Sequence, residues 1–122
     1  MSTTIVREIR FESAHHLPKT PEGHKCRRLH GHSFRAEIHV SGEVGAESGW
    51  VQDFGEIKKV CEPLVEQLDH HVLNDVPGLE NPTSENIARW LWERLISQLP
   101  GLSTIVVHET CHARCIYSGP DR

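Results

Sequence analysis

Apolar and polar residues alternate over the first fifteen positions, with Ile5, Ile9, Phe11, Ser13 and His15 on one parity, and this period of two predicts a strand over Thr3–His15. The parity selects His15 over His16 as the inward residue. Residues 17–28 hold Pro18, Pro21 and Gly23 among several charges, show no period, and read as a long loop of the kind that often carries function. Alternation returns over residues 29–42, where His30, His32, Phe34, Ala36, Ile38 and Val40 share the buried face and Leu29, Ser33, Arg35, Glu37 and His39 the other. After a Gly-rich stretch, Asp53 reads as an N-cap with Glu56 three residues on, and the spacing of Ile57, Val60, Cys61, Leu64, Val65 and Leu68 becomes helical. Pro63 removes one hydrogen bond and is expected to kink that helix, whose end delivers Asp69-His70-His71. A second helix starts at Thr83 or Ser84, carries Ile87, Trp90, Leu91, Leu95 and Leu99, and is stopped by Pro100-Gly101. Two shorter extended segments follow, 103–110 with the β-branched run Ile105-Val106-Val107, and 115–118.

The order ββααββ segregates strands from helices, which argues for an α+β domain: a four-stranded antiparallel sheet with two helices on one face. At 122 residues the chain makes one domain, 1–122, small enough that burial against further copies helps it, so a homo-oligomer is expected. A formal net charge of -4 argues against a general nucleic-acid or anionic-membrane surface. Charged Arg7 and Glu8 follow close on the N-terminus and no apolar run is long enough to span a bilayer, so a cytoplasmic protein is expected. In that compartment Cys26, Cys61, Cys111 and Cys115 are expected as thiols.

Composition says little about chemistry until the histidines are placed on the strands. His15 ends the first strand, while His30 and His32, two apart, open the second on one face, so the three converge if the strands pair. Three neutral imidazoles without a carboxylate suit one Zn²⁺ and leave its fourth position free, the pattern of a catalytic site. Cys26 lies four residues before His30 among Lys25, Arg27 and Arg28, cations that favour a thiolate. It reads as a base or nucleophile, as a small buried hydrophobe, or as a fourth zinc ligand that closes the site. Asp69 can fix the tautomer of His70 and stabilise its protonated form, or it can simply end the helix beside solvated imidazoles. Glu109 shares the parity of Ile105 and Val107, so it points to the apolar side, there to pair with an Arg or with a guanidine-like ligand edge. Lys25, Arg27 and Arg28 suit a phosphate chain or plain solvation. Cys111 and Cys115, near His108 and His112, are too loosely spaced for a second metal site and are expected as plain thiols.

Taken together, Phe11-Glu12-Ser13-Ala14-His15, Cys26-Arg27-Arg28-Leu29-His30-Gly31-His32, Leu68-Asp69-His70, Asn81-Pro82-Thr83-Ser84-Glu85-Asn86 and His108-Glu109-Thr110 resemble the 6-pyruvoyltetrahydropterin synthase family along nearly the whole chain. The Cys-x-x-x-His-Gly-His spacing, with Glu22-Gly23-His24-Lys25-Cys26 before it, looks like the family's 6-carboxytetrahydropterin synthase branch of queuosine biosynthesis. The resemblance implies a tunnelling fold, in which four-stranded sheets of neighbouring subunits join into a barrel, as a trimer or dimer of trimers, with active sites between subunits. It implies one zinc per subunit on His15, His30 and His32, Cys26 as proton acceptor, and Asp69, His70 and Glu109 as relay and pterin-anchoring groups. Thr83 and Ser84 would line the pterin pocket. The implied substrate is 7,8-dihydroneopterin triphosphate, cleaved to 6-carboxy-5,6,7,8-tetrahydropterin, acetaldehyde and triphosphate. Two alternatives stand beside this reading: a pyruvoyl synthase or dihydroneopterin aldolase on the same fold, and a non-catalytic zinc module with Cys26 as ligand.

Overall fold

The computed structural model describes residues 2–121. Strands β1 (Thr3–His15) and β2 (His30–Gly42) form a long antiparallel pair, followed by helices α1 (Phe54–Leu68) and α2 (Ser84–Leu95) and strands β3 (Leu102–His108) and β4 (Arg114–Tyr117). The sheet order is β1-β2-β3-β4, antiparallel throughout. Two short 3-10 turns, Lys25–Arg27 and Leu73–Asp75, interrupt the connections.

The inward parity of β1 and β2 makes the core. Phe11 faces Phe34, with ring centroids 5.2 Å apart, and Ile9 faces Ala36. Ile57, Cys61, Leu64 and Leu68 of α1 and Ile87, Trp90, Leu91 and Leu95 of α2 close over that face, α1 against β1 and α2 against β3 and β4. Asp53 caps α1 by accepting the Gly55 N–H, and Thr83 caps α2 by accepting the Asn86 N–H, so each side chain satisfies a donor the helix leaves free. Among the described residues no helix is long and apolar enough to cross a membrane.

Helix α1 continues through Pro63, which lies on the exposed side, where water can take the carbonyl its missing N–H leaves free. Two local expectations are corrected. Helix α2 ends at Leu95 and does not reach Pro100. Past Leu95 the Gln98 and Leu99 N–H groups both turn to the Leu95 carbonyl, which closes the last turn, and Leu99 stays buried. Strand β3 stops at His108 and not at residue 110, because the N–H groups of Glu109 and Thr110 both turn back to the Ala113 carbonyl. That early stop leaves Glu109 one residue beyond the sheet.

Candidate metal centre and catalytic site

The register of β1 and β2 sets His15 opposite His30 and Ser13 opposite His32, at the end of the pair where the long 17–28 loop enters. The three rings stand edge to face, with centroids 4.6 to 5.1 Å apart. Two of them have a fixed tautomer. A carbonyl only accepts, so the contacts of His15 Nδ1 with the Pro82 carbonyl at 2.9 Å and of His30 Nδ1 with the Arg28 carbonyl at 2.7 Å put the proton on Nδ1. Each Nε2 then carries a lone pair, the form in which imidazole binds a metal. His15 is completely buried, and burial lowers the pKa of both His15 and His32, holding them neutral. Their Nε2 atoms are buried without a hydrogen-bond partner.

Glu109 supplies a fourth donor. Its Oε1 lies 3.2 Å from His15 Nε2 and 3.2 Å from His32 Nε2, and one ligand atom from each of His15, His30, His32 and Glu109 lies within 4.8 Å of the others. Three imidazoles and one carboxylate thus form a group that could hold a metal ion, the carboxylate standing beside the three expected histidines. His15 Nε2 has no proton to give, so a carboxylate oxygen 3.2 Å from its lone pair is repulsive unless a cation sits between them, and this donor set fits a metal ion. Cys26 is outside the group of four. Strand parity pointed Glu109 inward, but its meeting with the histidines depends on β3 lying beside β2, with His108 opposite Arg35, and sequence spacing does not contain that pairing.

Asp69 and His70 form a second group. Asp69 caps α1, its Oδ1 accepting the Glu12 N–H at 2.8 Å and its Oδ2 lying 3.0 Å from His70 Nδ1. The Glu12 N–H, and after it His70, hold the Asp69 carboxyl below its ordinary pKa, so it stays ionised beside the imidazole. The chain then follows the free edge of β1, with the His70 N–H on the Glu12 carbonyl and the Ala14 N–H on the His71 carbonyl. An open cavity of about 490 Å³ is lined by Glu12, Gly31, His32, Ser33 and His70 among others. Sequence reading missed Glu12 and Ser33, whose side chains share a hydrogen bond of 2.6 Å beside this cavity. The available signal was their outward parity next to the inward-facing histidines.

His70 takes a left-handed backbone, φ 59°, the one such non-glycine residue among those described. This conformation is strained for any residue with a Cβ, and strain of this kind is characteristic of functional sites. His70→Gly is therefore expected to be more stable than His70→Ala by about 1 kcal/mol, since both lose the ring and only glycine relieves the backbone. Denaturant unfolding of the two variants checks this. Equal stability would mean that the backbone at His70 carries no strain.

The remaining candidates lie around these groups. Cys26 is half-buried in the Lys25–Arg27 turn, its N–H on His24 Nδ1 and its carbonyl accepting the Leu17 N–H. Lys25, Arg27 and Arg28 are exposed beside it. The Thr83 hydroxyl is occupied by its cap, whereas Ser84 Oγ faces Glu109 Oε2 at 3.5 Å. Cys61, Cys111 and Cys115 are free thiols with Cys26, and burial pushes the Cys61 thiol up to about 11. Cys111, Cys115, His108 and His112 form no metal-binding group among the described residues.

Residues 4–120 match the model of the 6-pyruvoyl tetrahydropterin synthase family. The chain is 48% identical to the 6-carboxy-5,6,7,8-tetrahydropterin synthase of Synechocystis sp., over 95% of this chain and 93% of that one. It is 42% identical to the dihydroneopterin monophosphate aldolase of Pyrococcus furiosus, over 83% and 82% of the two chains. Its structure is similar to that of Caenorhabditis elegans 6-pyruvoyl tetrahydropterin synthase, with a TM-score of 0.89 at 27% identity, covering 98% and 97% of the two chains.

Proposed function

The chain belongs to the 6-pyruvoyl tetrahydropterin synthase family of lyases and has its tunnelling fold, and from that premise we propose a zinc-dependent carbon–carbon lyase of queuosine biosynthesis. With one water it converts 7,8-dihydroneopterin triphosphate to 6-carboxy-5,6,7,8-tetrahydropterin, acetaldehyde and triphosphate. The observation that carries this reading is the convergence of His15, His30, His32 and Glu109, in a chain 48% identical to a protein of that activity.

His15, His30 and His32 hold the zinc, which when bound polarises the hydroxyls of the substrate side chain and lowers the cost of removing a carbon-bound proton. Cys26, as thiolate, accepts that proton. His70 returns protons on the other face as triphosphate leaves and the side chain breaks, with its ring oriented and its protonated form stabilised by Asp69. Glu109 holds the amino-pyrimidine edge of the pterin through paired hydrogen bonds, keeping the reacting carbon near the metal. Thr83 and Ser84 line the pocket, and Lys25, Arg27 and Arg28 face the triphosphate. His70 is 80% exposed in the single chain, which supports a site completed by a neighbouring copy in a trimer or dimer of trimers whose sheets join into a barrel. The protein acts in the cytoplasm.

The 42% identity to an aldolase favours a second reading, cleavage of a related dihydroneopterin without release of triphosphate. Mass spectrometry separates the two. Zinc-loaded protein incubated with 7,8-dihydroneopterin triphosphate is expected to yield the mass of 6-carboxytetrahydropterin together with acetaldehyde. A pterin of any other mass, or no acetaldehyde, would sink the lyase reading.

A further inference from the structure

We propose that Glu109 is itself a donor to the metal in the substrate-free protein and surrenders that place to the incoming pterin, so that the substrate opens the coordination position it then uses. The first half stands on the donor set, and the second rests on the lyase reading above.

Donors held about 2.0 to 2.1 Å from a tetrahedral zinc lie about 3.3 Å from one another. Glu109 Oε1 is 3.2 Å from His15 Nε2 and 3.2 Å from His32 Nε2, which is the spacing of a ligand and longer than a good charge-assisted hydrogen bond. Neither nitrogen is hydrogen-bonded, and His15 has committed its one ring proton to the Pro82 carbonyl, so its Nε2 has none to give a carboxylate. What reconciles these groups at this distance is a shared cation.

The four donors are not equally anchored. His15 and His30 are locked by Nδ1 bonds to carbonyls, and all three histidines belong to the β1–β2 ladder. Glu109 stands past the end of β3, its side chain 26% exposed and its second oxygen 3.5 Å from Ser84 Oγ. It is the donor that can leave by side-chain rotation alone. The carboxylate that would bond the amino-pyrimidine edge is this same group, and an oxygen held on the metal fixes the direction of the carboxylate and is a weaker acceptor, so paired bonds to the pterin compete with metal binding. Ligand exchange at Glu109 therefore couples pterin binding to opening of the metal.

The test uses the whole chain, stripped of metal and reloaded with Zn²⁺ or with Co²⁺ as a coloured probe of coordination. Glu109→Gln is expected to lower zinc affinity more than about tenfold in chelator competition, as outer-sphere partners already do when lost. Its visible cobalt spectrum should differ from that of the parent, and Glu109→Asp should recover part of the affinity. Adding 7,8-dihydroneopterin should change the parent cobalt spectrum. Matching thermal unfolding of the metal-free proteins excludes a folding defect. Parental zinc affinity and an unaltered cobalt spectrum in Glu109→Gln overturn the ligand role. A cobalt spectrum that stays constant while 7,8-dihydroneopterin binds, followed by pterin fluorescence, overturns the exchange. A protein that shows the cobalt signature yet makes no carboxytetrahydropterin retains the inference for the metal and loses the lyase reading.

Discussion

Cys26→Ala is expected to lower turnover by about 100- to 10,000-fold, the usual contribution of a positioned general base, and to leave zinc affinity unchanged within about twofold. In activation free energy that is about 3 to 5 kcal/mol. The two readouts are expected to part because the group that could hold the ion, His15, His30, His32 and Glu109, offers four donors without sulfur, and Cys26 is not among them. The thiol instead sits on the turn that leads into β2, where the Leu17 N–H and the His24 ring fix its backbone. Its place is set by the loop and not by a metal, so alanine should preserve the loop. Turnover by product mass and zinc affinity by chelator competition, measured on the same preparation, decide the matter. Zinc affinity that falls together with turnover would make Cys26 a ligand and return the non-catalytic zinc module to first place.

The metal face was legible in the sequence because strand parity is a local property. His15, His30 and His32 follow from the period of two, and pairing His15 with His30 needs only the adjacency of consecutive strands. Asp69 was legible as the residue after a helical run, and Thr83 as a cap. The fourth donor was not. Glu109 reaches the histidines through the β2–β3 pairing, which joins segments more than sixty residues apart and carries a bulge between His39 and Val40 that no periodicity announces. The carbonyls of Arg28 and Pro82 were invisible for a different reason: they are backbone groups whose role comes from the direction of the loop and not from a side chain. The stop of α2 at Leu95 was not legible because Leu99 keeps the helical spacing and is buried, although it lies in the turns past the helix.

Zinc is expected to raise the thermal midpoint of the parent protein and to leave that of His15→Ala where it was. In the metal-free protein the Nε2 atoms of His15 and His32 are buried without partners, and each such atom costs about 1 to 3 kcal/mol. A bound cation removes that cost, and zinc at about a thousand times its Kd adds about 4 kcal/mol to folding stability. His15 contributes to both sides of this balance. Alanine deletes one orphaned nitrogen, which favours the metal-free variant, but it also deletes the bond to the Pro82 carbonyl, worth about 1 kcal/mol, and leaves a cavity under a fully buried position. These opposing changes make the metal-free variant a poor reporter, whereas the zinc-dependent increment isolates the site. Because His15 ties β1 to the loop before α2, losing it also removes the wall against which His30 and His32 stand, so these two imidazoles, with Glu109 beyond the end of β3 as the third donor left, should not hold the ion at micromolar zinc. Thermal melts of both proteins with zinc and with chelator test this directly. A zinc increment that survives in His15→Ala would place the metal elsewhere and deprive the proposed lyase of its centre.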